Sequence, residues 1–347
     1  MSALARRFPR RPPSNATHTL VTGGAGFIGS HLVERLLAEG RRVVVLDDLS
    51  SGSLDNLAAV RTHPGLRLFP ERITACRALE NLVRNAETIY HLAAVVGVER
   101  VTLAPVETLL SNLRETETVL TLAARHVRPT LLASSSEVYG RSRKRAFAED
   151  DDLVIGPPHL ARWSYACSKL ADEFLALALA REQGFPVVVA RLFNVTGPRQ
   201  SGRYGMVLPR FVRAALAGLP LEVHGSGSQT RAFCWVGDAV EALLRLMQRP
   251  EARGQVFNVG QPRTVSILEL ARRVVRVTHS ASAIRKVPYT LGAAEGFEDM
   301  RHRRPVVTRL WRVTGYRPST PLDEIIRRTA ASLGGPSGHS TSRRHQS

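Results

Sequence analysis

Tyr165 and Lys169 lie four residues apart in the stretch ARWSYACSKLADEF, residues 161–174. On a helix that spacing stacks both side chains on one face. A tyrosine with an ordinary pKa near ~10 is a poor base at neutral pH, and a neighbouring ammonium favours its phenolate. The pair is suited to taking a proton from an alcohol or sugar hydroxyl. Alone, Y-x-x-x-K fits a half-buried tyrosine beside a solvated lysine equally well, so its chemistry depends on what the rest of the chain brings to it.

Upstream, the apolar run His18 to Thr22 leads directly into GGAGFIGSHLVERLLAEG. Gly23, Gly26 and Gly29 have G-x-x-G-x-x-G spacing, and Leu32, Val33, Leu36 and Leu37 then recur at helical intervals until Gly40. Strand, glycine turn and helix in that order let the backbone approach a pyrophosphate, which the N–H groups and dipole of the helix N-terminus favour. RRVVVLDD supplies a second strand ending at Asp47 and Asp48, 18 and 19 residues after Gly29. An acid there accepts from adenosine ribose hydroxyls and repels a 2′-phosphate, which favours NAD over NADP.

Further strands are predicted over 66–69, 87–94, 129–136 and 186–194, with helical stretches around Leu79 to Val83, from Val106 to Arg125 and from Ser168 to Gln183. The alternation predicts an α/β fold, a doubly wound parallel Rossmann sheet over 17–194, with ligands at the carboxyl ends of its strands. After Asn194, Gly/Pro turns and short elements predict a smaller C-terminal substrate-binding α/β domain over 195–333. Residues 234–260 read as a helix and strand that return to the sheet. Residues 1–16 hold four arginines and three prolines without an apolar core, and read as a disordered basic tail rather than a signal peptide. Residues 334–347 read as a second disordered tail.

The 347 residues carry a formal charge of +18, but only three of the 48 basic residues are lysines and they are spread along the chain. That pattern is compositional, and no nucleic-acid-binding module accompanies it, so no specific nucleic acid is expected. Three cysteines without C-x-x-C spacing and 11 histidines without a ligand cluster predict neither disulfides nor a metal. No apolar run spans a bilayer, and a reducing cytoplasm fits the cysteine usage.

TGGAGFIGSH, DDLSSG, HLAA, SSSEVYG, YACSK, RLFNVTGPR and QTRAFCWVGD, in this order, resemble the extended short-chain dehydrogenase/reductase family: the NAD-dependent nucleotide-sugar epimerases, dehydratases and decarboxylases. The likeness covers nearly all of residues 17–330. It implies bound NAD, contacted at Gly23, Gly26, Phe27, Ile28, Gly29, Asp47, Asp48, Leu92 and Ala93 and by Tyr165 and Lys169, and a UDP-type sugar as substrate. It implies Tyr165 as base on the sugar O4 hydroxyl, Lys169 as its pKa-lowering partner and Ser135 as the hydroxyl bonded to O4. Asn194, Arg199 and Arg231 would hold the nucleotide diphosphate. A homodimer through the helices of 106–125 and 168–183 is expected.

Within the family, SSSEVYG is similar to the segment of UDP-glucuronate decarboxylases, which carry Ser-Glu-Val-Tyr; dehydratases carry an Asp where Ser136 stands, and 4-epimerases a small residue or threonine where Glu137 stands. HRRP, 302–305, resembles a decarboxylase segment whose arginine, here Arg303, meets the sugar carboxylate, and Arg162 matches a further substrate contact. The resemblance therefore implies decarboxylation of UDP-glucuronate to UDP-xylose or its 4-keto intermediate, with Glu137 and Arg303 catalytic. A UDP-hexose 4-epimerase is the alternative, and a non-catalytic NAD-binding regulatory protein a second. One departure is Arg72, which stands where the family often has an acid near adenine.

Overall fold

The computed structural model describes residues 17–96, 104–200, 206–288 and 302–334. The two expected tails lie outside the described residues, apart from Gly334. The first half runs β1 (His18–Thr22), α1 (Phe27–Ala38), β2 (Val43–Leu46), β3 (Leu66–Phe69), α2 (Leu79–Arg84), β4 (Ala86–His91), α3 (Pro105–Arg125), β5 (Thr130–Ser135), α4 (Arg162–Gln183) and β6 (Val187–Leu192). A 3₁₀ turn, Ser136–Tyr139, leaves the end of β5.

The second half adds β7 (Val195–Thr196), α5 (Val207–Leu216), β8 (Leu221–His224), β9 (Thr230–Ala232), β10 (Cys234–Trp235), α6 (Val236–Met247), β11 (Gln255–Val259), β12 (Thr264–Ser266), α7 (Ile267–Val277), β13 (Ile284–Val287), β14 (His302–Arg303), α8 (Thr308–Thr314) and α9 (Leu322–Ser332).

Seven strands form one parallel sheet in the order β11-β6-β5-β4-β1-β2-β3. The order reverses between β1 and β4, and ligands of such sheets bind in the crevice beyond the carboxyl ends at that point. Its strands are apolar on both faces, as a sheet covered twice requires. Val43 and Val45 face a layer holding α1, α6 and α8, whereas Val44 and Leu46 face α2, α3 and α4. The doubly wound sheet expected from the alternation of strands and helices is thus present. β11 extends it by pairing in parallel with β6, and α6 joins the α1 layer.

The remaining elements gather around a separate core formed by α5, α7 and α9 with β8. Beside it β9 lies between β12 and β14, and Arg231 of β9 is in register with Arg303 of β14. The segment that follows the 3₁₀ turn is tied to the chain after β14: Phe147 N–H donates to the Arg304 carbonyl and Val306 N–H to the Phe147 carbonyl, both at 2.8 Å.

Helix α4 begins at Arg162 instead of Ser168. Buried Trp163 sits in its first turn against Gly156, where any Cβ would collide with the indole. Tertiary packing therefore carries the helix back past Tyr165, and the left-handed Gly184 ends it.

Candidate active site

The glycine turn fits a dinucleotide phosphate. Gly23 has a φ of +70°, and a Cβ there would lie 2.7 Å from the Ala93 nitrogen, so β1 and the Leu92–Ala93 loop after β4 approach as only glycine permits. A Cβ on Gly29 would strike the Gly23 carbonyl, so the third glycine seats α1 on the turn. Gly26 caps α1 without a side-chain bond, which leaves the first-turn amides of Phe27, Ile28 and Gly29 for a phosphate. Buried Asp47 accepts from Ala25 N–H at 2.8 Å and Leu49 N–H at 2.9 Å; carboxylate oxygens retain lone pairs for ribose hydroxyls. Asp48 is paired with Arg72 at 3.5 Å, and Arg72 reaches Glu107 at 3.4 Å. The basic residue at the expected acidic position thus acts as counter-charge to the neighbouring acid.

At the end of β5, Ser135 Oγ accepts from Glu137 N–H at 3.2 Å and fixes the turn that carries both residues. Tyr165 of α4 hydrogen-bonds the Ser135 hydroxyl. Glu137 Oε1 lies 2.5 Å from Arg303 Nη2, with both side chains mostly buried. Ser135, Glu137, Tyr165 and Arg303, far apart in sequence, therefore meet beyond the sheet's carboxyl edge, with Arg231 beside Arg303 on the neighbouring strand.

Lys169 has a carboxylate partner on its own helix. Its Nζ donates to Asp172 Oδ2 at 3.2 Å, a partner one turn along the same helix. Burial pushes the Tyr165 phenol above its ordinary range; the charge of Glu137 adds to this, the Ser135 bond opposes it and Asp172 raises it further. The Tyr165 phenol thus feels the carboxylates of Glu137 and Asp172.

Two further expected site residues make contacts of their own. Asn194, in a left-handed conformation, donates from Nδ2 to the Ala232 carbonyl at 3.0 Å, next to Arg231. Arg199 pairs with Glu34 of α1 at 2.5 Å and donates to Ser30 Oγ at 3.2 Å, so it braces the loop after β7 on α1. Arg162 opens α4, and its side chain lies outside the described residues.

A buried chain of hydrogen bonds, unanticipated from sequence, joins the cofactor turn to Lys169. Ala93 N–H meets Thr22 Oγ1 at 3.4 Å, Thr22 Oγ1 lies 2.7 Å from His91 Nδ1, and His91 Nε2 lies 3.1 Å from Thr116 Oγ1. Thr116 donates to Asp172 Oδ2 at 3.2 Å. Because ionised Asp172 only accepts, the chain assigns Nε2–H as donor and Nδ1 as acceptor on a neutral imidazole. Burial, reinforced by the charge of Lys169, holds the His91 pKa down to about 3.

An unfolded histidine takes up its proton near ~6.5, so stability is fully present above that pH and is lost as pH falls towards the folded value. This group supplies a slope of up to ~1.4 kcal/mol per pH unit in that window. Urea midpoints between pH 6.5 and 5 are therefore expected to fall less steeply for His91→Gln than for the native chain; parallel slopes would refute the assignment.

Asn112 of α3 adds a second tie: its Oδ1 accepts from Val95 N–H at 2.7 Å, and its Nδ2 lies 3.5 Å from Ser168 Oγ. Behind the site, Arg191 forms a bidentate bond with Glu173 and reaches the Tyr139 hydroxyl at 3.0 Å. Ser134 donates to the same glutamate at 2.5 Å. This network fixes α4, the end of β5 and the 3₁₀ turn against one another. Among the described residues no cluster of metal-binding side chains occurs, and no helix is long and apolar enough to cross a membrane.

The sequence model of the NAD dependent epimerase/dehydratase family matches residues 19–260. A UDP-N-acetyl-α-D-glucosaminuronate decarboxylase of Bacillus cytotoxicus is 37% identical over 311 residues, covering 89% of this chain and 95% of that protein. UDP-glucuronic acid decarboxylase 1 of Danio rerio is 35% identical over 313 residues, 89% of this chain and 71% of that protein. Among solved structures, a dTDP-glucose 4,6-dehydratase of Streptomyces venezuelae with NAD and TYD bound superposes with a TM-score of 0.81 at 28% identity, covering 91% of this chain and 97% of that one.

Proposed function

The chain belongs to the NAD dependent epimerase/dehydratase family, and we propose that it decarboxylates a UDP-hexuronic acid, UDP-glucuronate in the first instance, by way of a C4 ketone. The Glu137–Arg303 ion pair beside Ser135 and Tyr165 carries this reading. An arginine at the C4 hydroxyl site has no task in exchanging hydrogen at C4, whereas a substrate carboxylate one carbon beyond C5 needs a cation. Arg303 supplies that cation, and a guanidinium has more than one N–H with which to meet a carboxylate.

When bound, NAD accepts hydride from C4 and later returns it. Tyr165 takes the O4 proton, with Ser135 bonded to the same oxygen. The C4 ketone makes the sugar a β-keto acid. Arg303 orients the C6 carboxylate, and the electrons of the breaking C5–C6 bond pass into an enolate as CO2 leaves. Glu137 holds the Arg303 guanidinium by its ion pair until the substrate engages it, and C5 then takes a proton from water. Arg231, adjacent to Arg303, and Asn194, which anchors the neighbouring strand, support the nucleotide side. Residues 195–333, apart from the returning segment α6 to β11, form the substrate lobe.

A second reading concerns the sugar: the 37% identical relative is named for the 2-acetamido uronate. Incubation with NAD and UDP-glucuronate, UDP-N-acetylglucosaminuronate, UDP-glucose or UDP-galactose, followed by NMR, distinguishes these. CO2 from either uronate supports decarboxylation and names the sugar. Glucose–galactose interconversion without CO2 from any sugar would overturn it in favour of a 4-epimerase.

The protein works as a homodimer in the cytoplasm in this reading. Val106 and Leu110 of α3 and Phe174 of α4 are exposed apolar residues on two packed helices, with Phe174 68% exposed. A second copy covering that face accounts for them. Phe174→Glu is expected to convert a dimer to monomer in light scattering; a native protein that is already monomeric would refute the interface. Three cysteines without disulfides suit a reducing compartment.

A further inference from the structure

The hydride chemistry proposed above rests on Tyr165 and Ser135, and the family resemblance adds Lys169, but neither calls for Asp172. Yet Asp172 is 2% exposed, carries a carboxylate 3.2 Å from Lys169 Nζ, and is held on the same oxygen by Thr116 of the neighbouring helix. A carboxylate fixed from two helices leaves Lys169 one place to put its ammonium.

We propose that Asp172 is a positioning residue which locks Lys169 to the cofactor-side chain of Thr116, His91 and Thr22 and, by cancelling the lysine's charge, keeps the Tyr165 phenol protonated to higher pH. The second half of this inference rests on Tyr165 being the base.

The charges around Tyr165 support it. On its own helix stand Lys169 and Asp172, which sum to zero. From the end of β5 come the neutral Ser135 hydroxyl and the Glu137 carboxylate, and Glu137 is matched by Arg303 of β14. His91 of β4 is neutral, and α3 contributes the uncharged Thr116 and Asn112. Glu173, next along α4, is occupied by Arg191 of β6. No net positive charge among these groups favours the phenolate; burial is the first cause of the upward displacement of Tyr165, and the charges of Glu137 and Asp172 add to it. Ionisation of the base then answers to what binds at the site. Neutralising Asp172 unmasks one positive charge a helical turn from the phenol, where an opposite charge shifts a pKa by about one to three units.

The test is a near-ultraviolet titration of tyrosinate in the purified NAD-loaded protein, with the Tyr165→Phe difference isolating one group, alongside the acid limb of the kcat profile. Asp172→Asn is expected to lower both by about one pH unit, which is about tenfold more phenolate, and tenfold faster turnover, below the limb. Asp172→Ser, smaller and still an acceptor for Lys169, is expected to move them the same way, whereas Asp172→Glu keeps the charge and the native limb. A merely structural carboxylate would lower the melting temperature in all three and leave the limb in place. An unmoved or raised titration in the neutral variants overturns the proposal. The optical titration needs no substrate. A shift without CO2 from any uronate would therefore refute decarboxylation alone, and CO2 release with an unmoved titration would refute the role of Asp172 alone.

Discussion

Tyr165→Phe is expected to reduce turnover by roughly 10²–10⁴-fold while leaving the fold and NAD binding in place. The phenol is the group bonded to Ser135 and the only tyrosine hydroxyl among the described residues that meets the end of β5 and Glu137 together. Its removal takes away the acceptor for the O4 proton, so no ketone forms and both C4 oxidation and CO2 loss stop. Ser135 loses one partner, at a stability cost of about 1 kcal/mol. Glu137→Gln should divide the steps instead: C4 oxidation continues, since Tyr165 and Ser135 remain, while CO2 loss slows because Arg303 has lost its matching charge. Rapid-quench separation of 4-keto hexuronate from pentose products checks this, and equal loss of both steps in Glu137→Gln would contradict a role confined to carboxylate handling.

Glu173→Gln is expected to cost about 3–5 kcal/mol of stability, a melting shift of roughly 6–15 °C, through a mechanism unrelated to catalysis. Glu173 and Arg191 are 3% and 5% exposed, and the glutamate also receives Ser134. Burial lowers the Arg191 pKa while the bonds and charge of Glu173 and contact with Tyr139 raise it; a guanidinium is not deprotonated in a protein, so Arg191 stays charged when its partner is removed. The cost is that of an uncompensated buried cation. The double variant Glu173→Leu/Arg191→Met should be less destabilised than Glu173→Gln, since no charge remains to be buried, although Tyr139 and the Glu149 carbonyl lose a donor. Denaturant unfolding of the three proteins tests this; a double variant with the summed loss of both singles would show that charge is not the cause.

The cofactor half of the fold was legible because its constraints are local. Gly23 needs a positive φ, Gly29 needs the absence of a Cβ, and Val43 to Leu46 are apolar on successive residues because both faces of the sheet are covered. The meeting of Ser135, Glu137 and Tyr165 followed from their places at strand end and helix face. Spacing could not choose between Tyr165, four residues before Lys169, and Asp172, three after it, since both share its face of the helix. Burial and the approach of Thr116 from α3 decided for Asp172, and that packing is not written in either helix alone. The contact of Arg199 with Glu34 on α1, distant in sequence, was equally out of reach of its motif. His91 stood in view within HLAA, but only β1 and α3 on either side of it reveal that it must be neutral.

A single turnover with UDP-glucuronate carrying carbon-13 at C6, and in parallel its 2-acetamido counterpart, tests the central claim most directly. The label is expected to leave one of the two as carbon-13 dioxide, with an unlabelled UDP-pentose or 4-keto pentose remaining. A UDP-hexuronate that returns with its label intact and its C4 configuration inverted would contradict it.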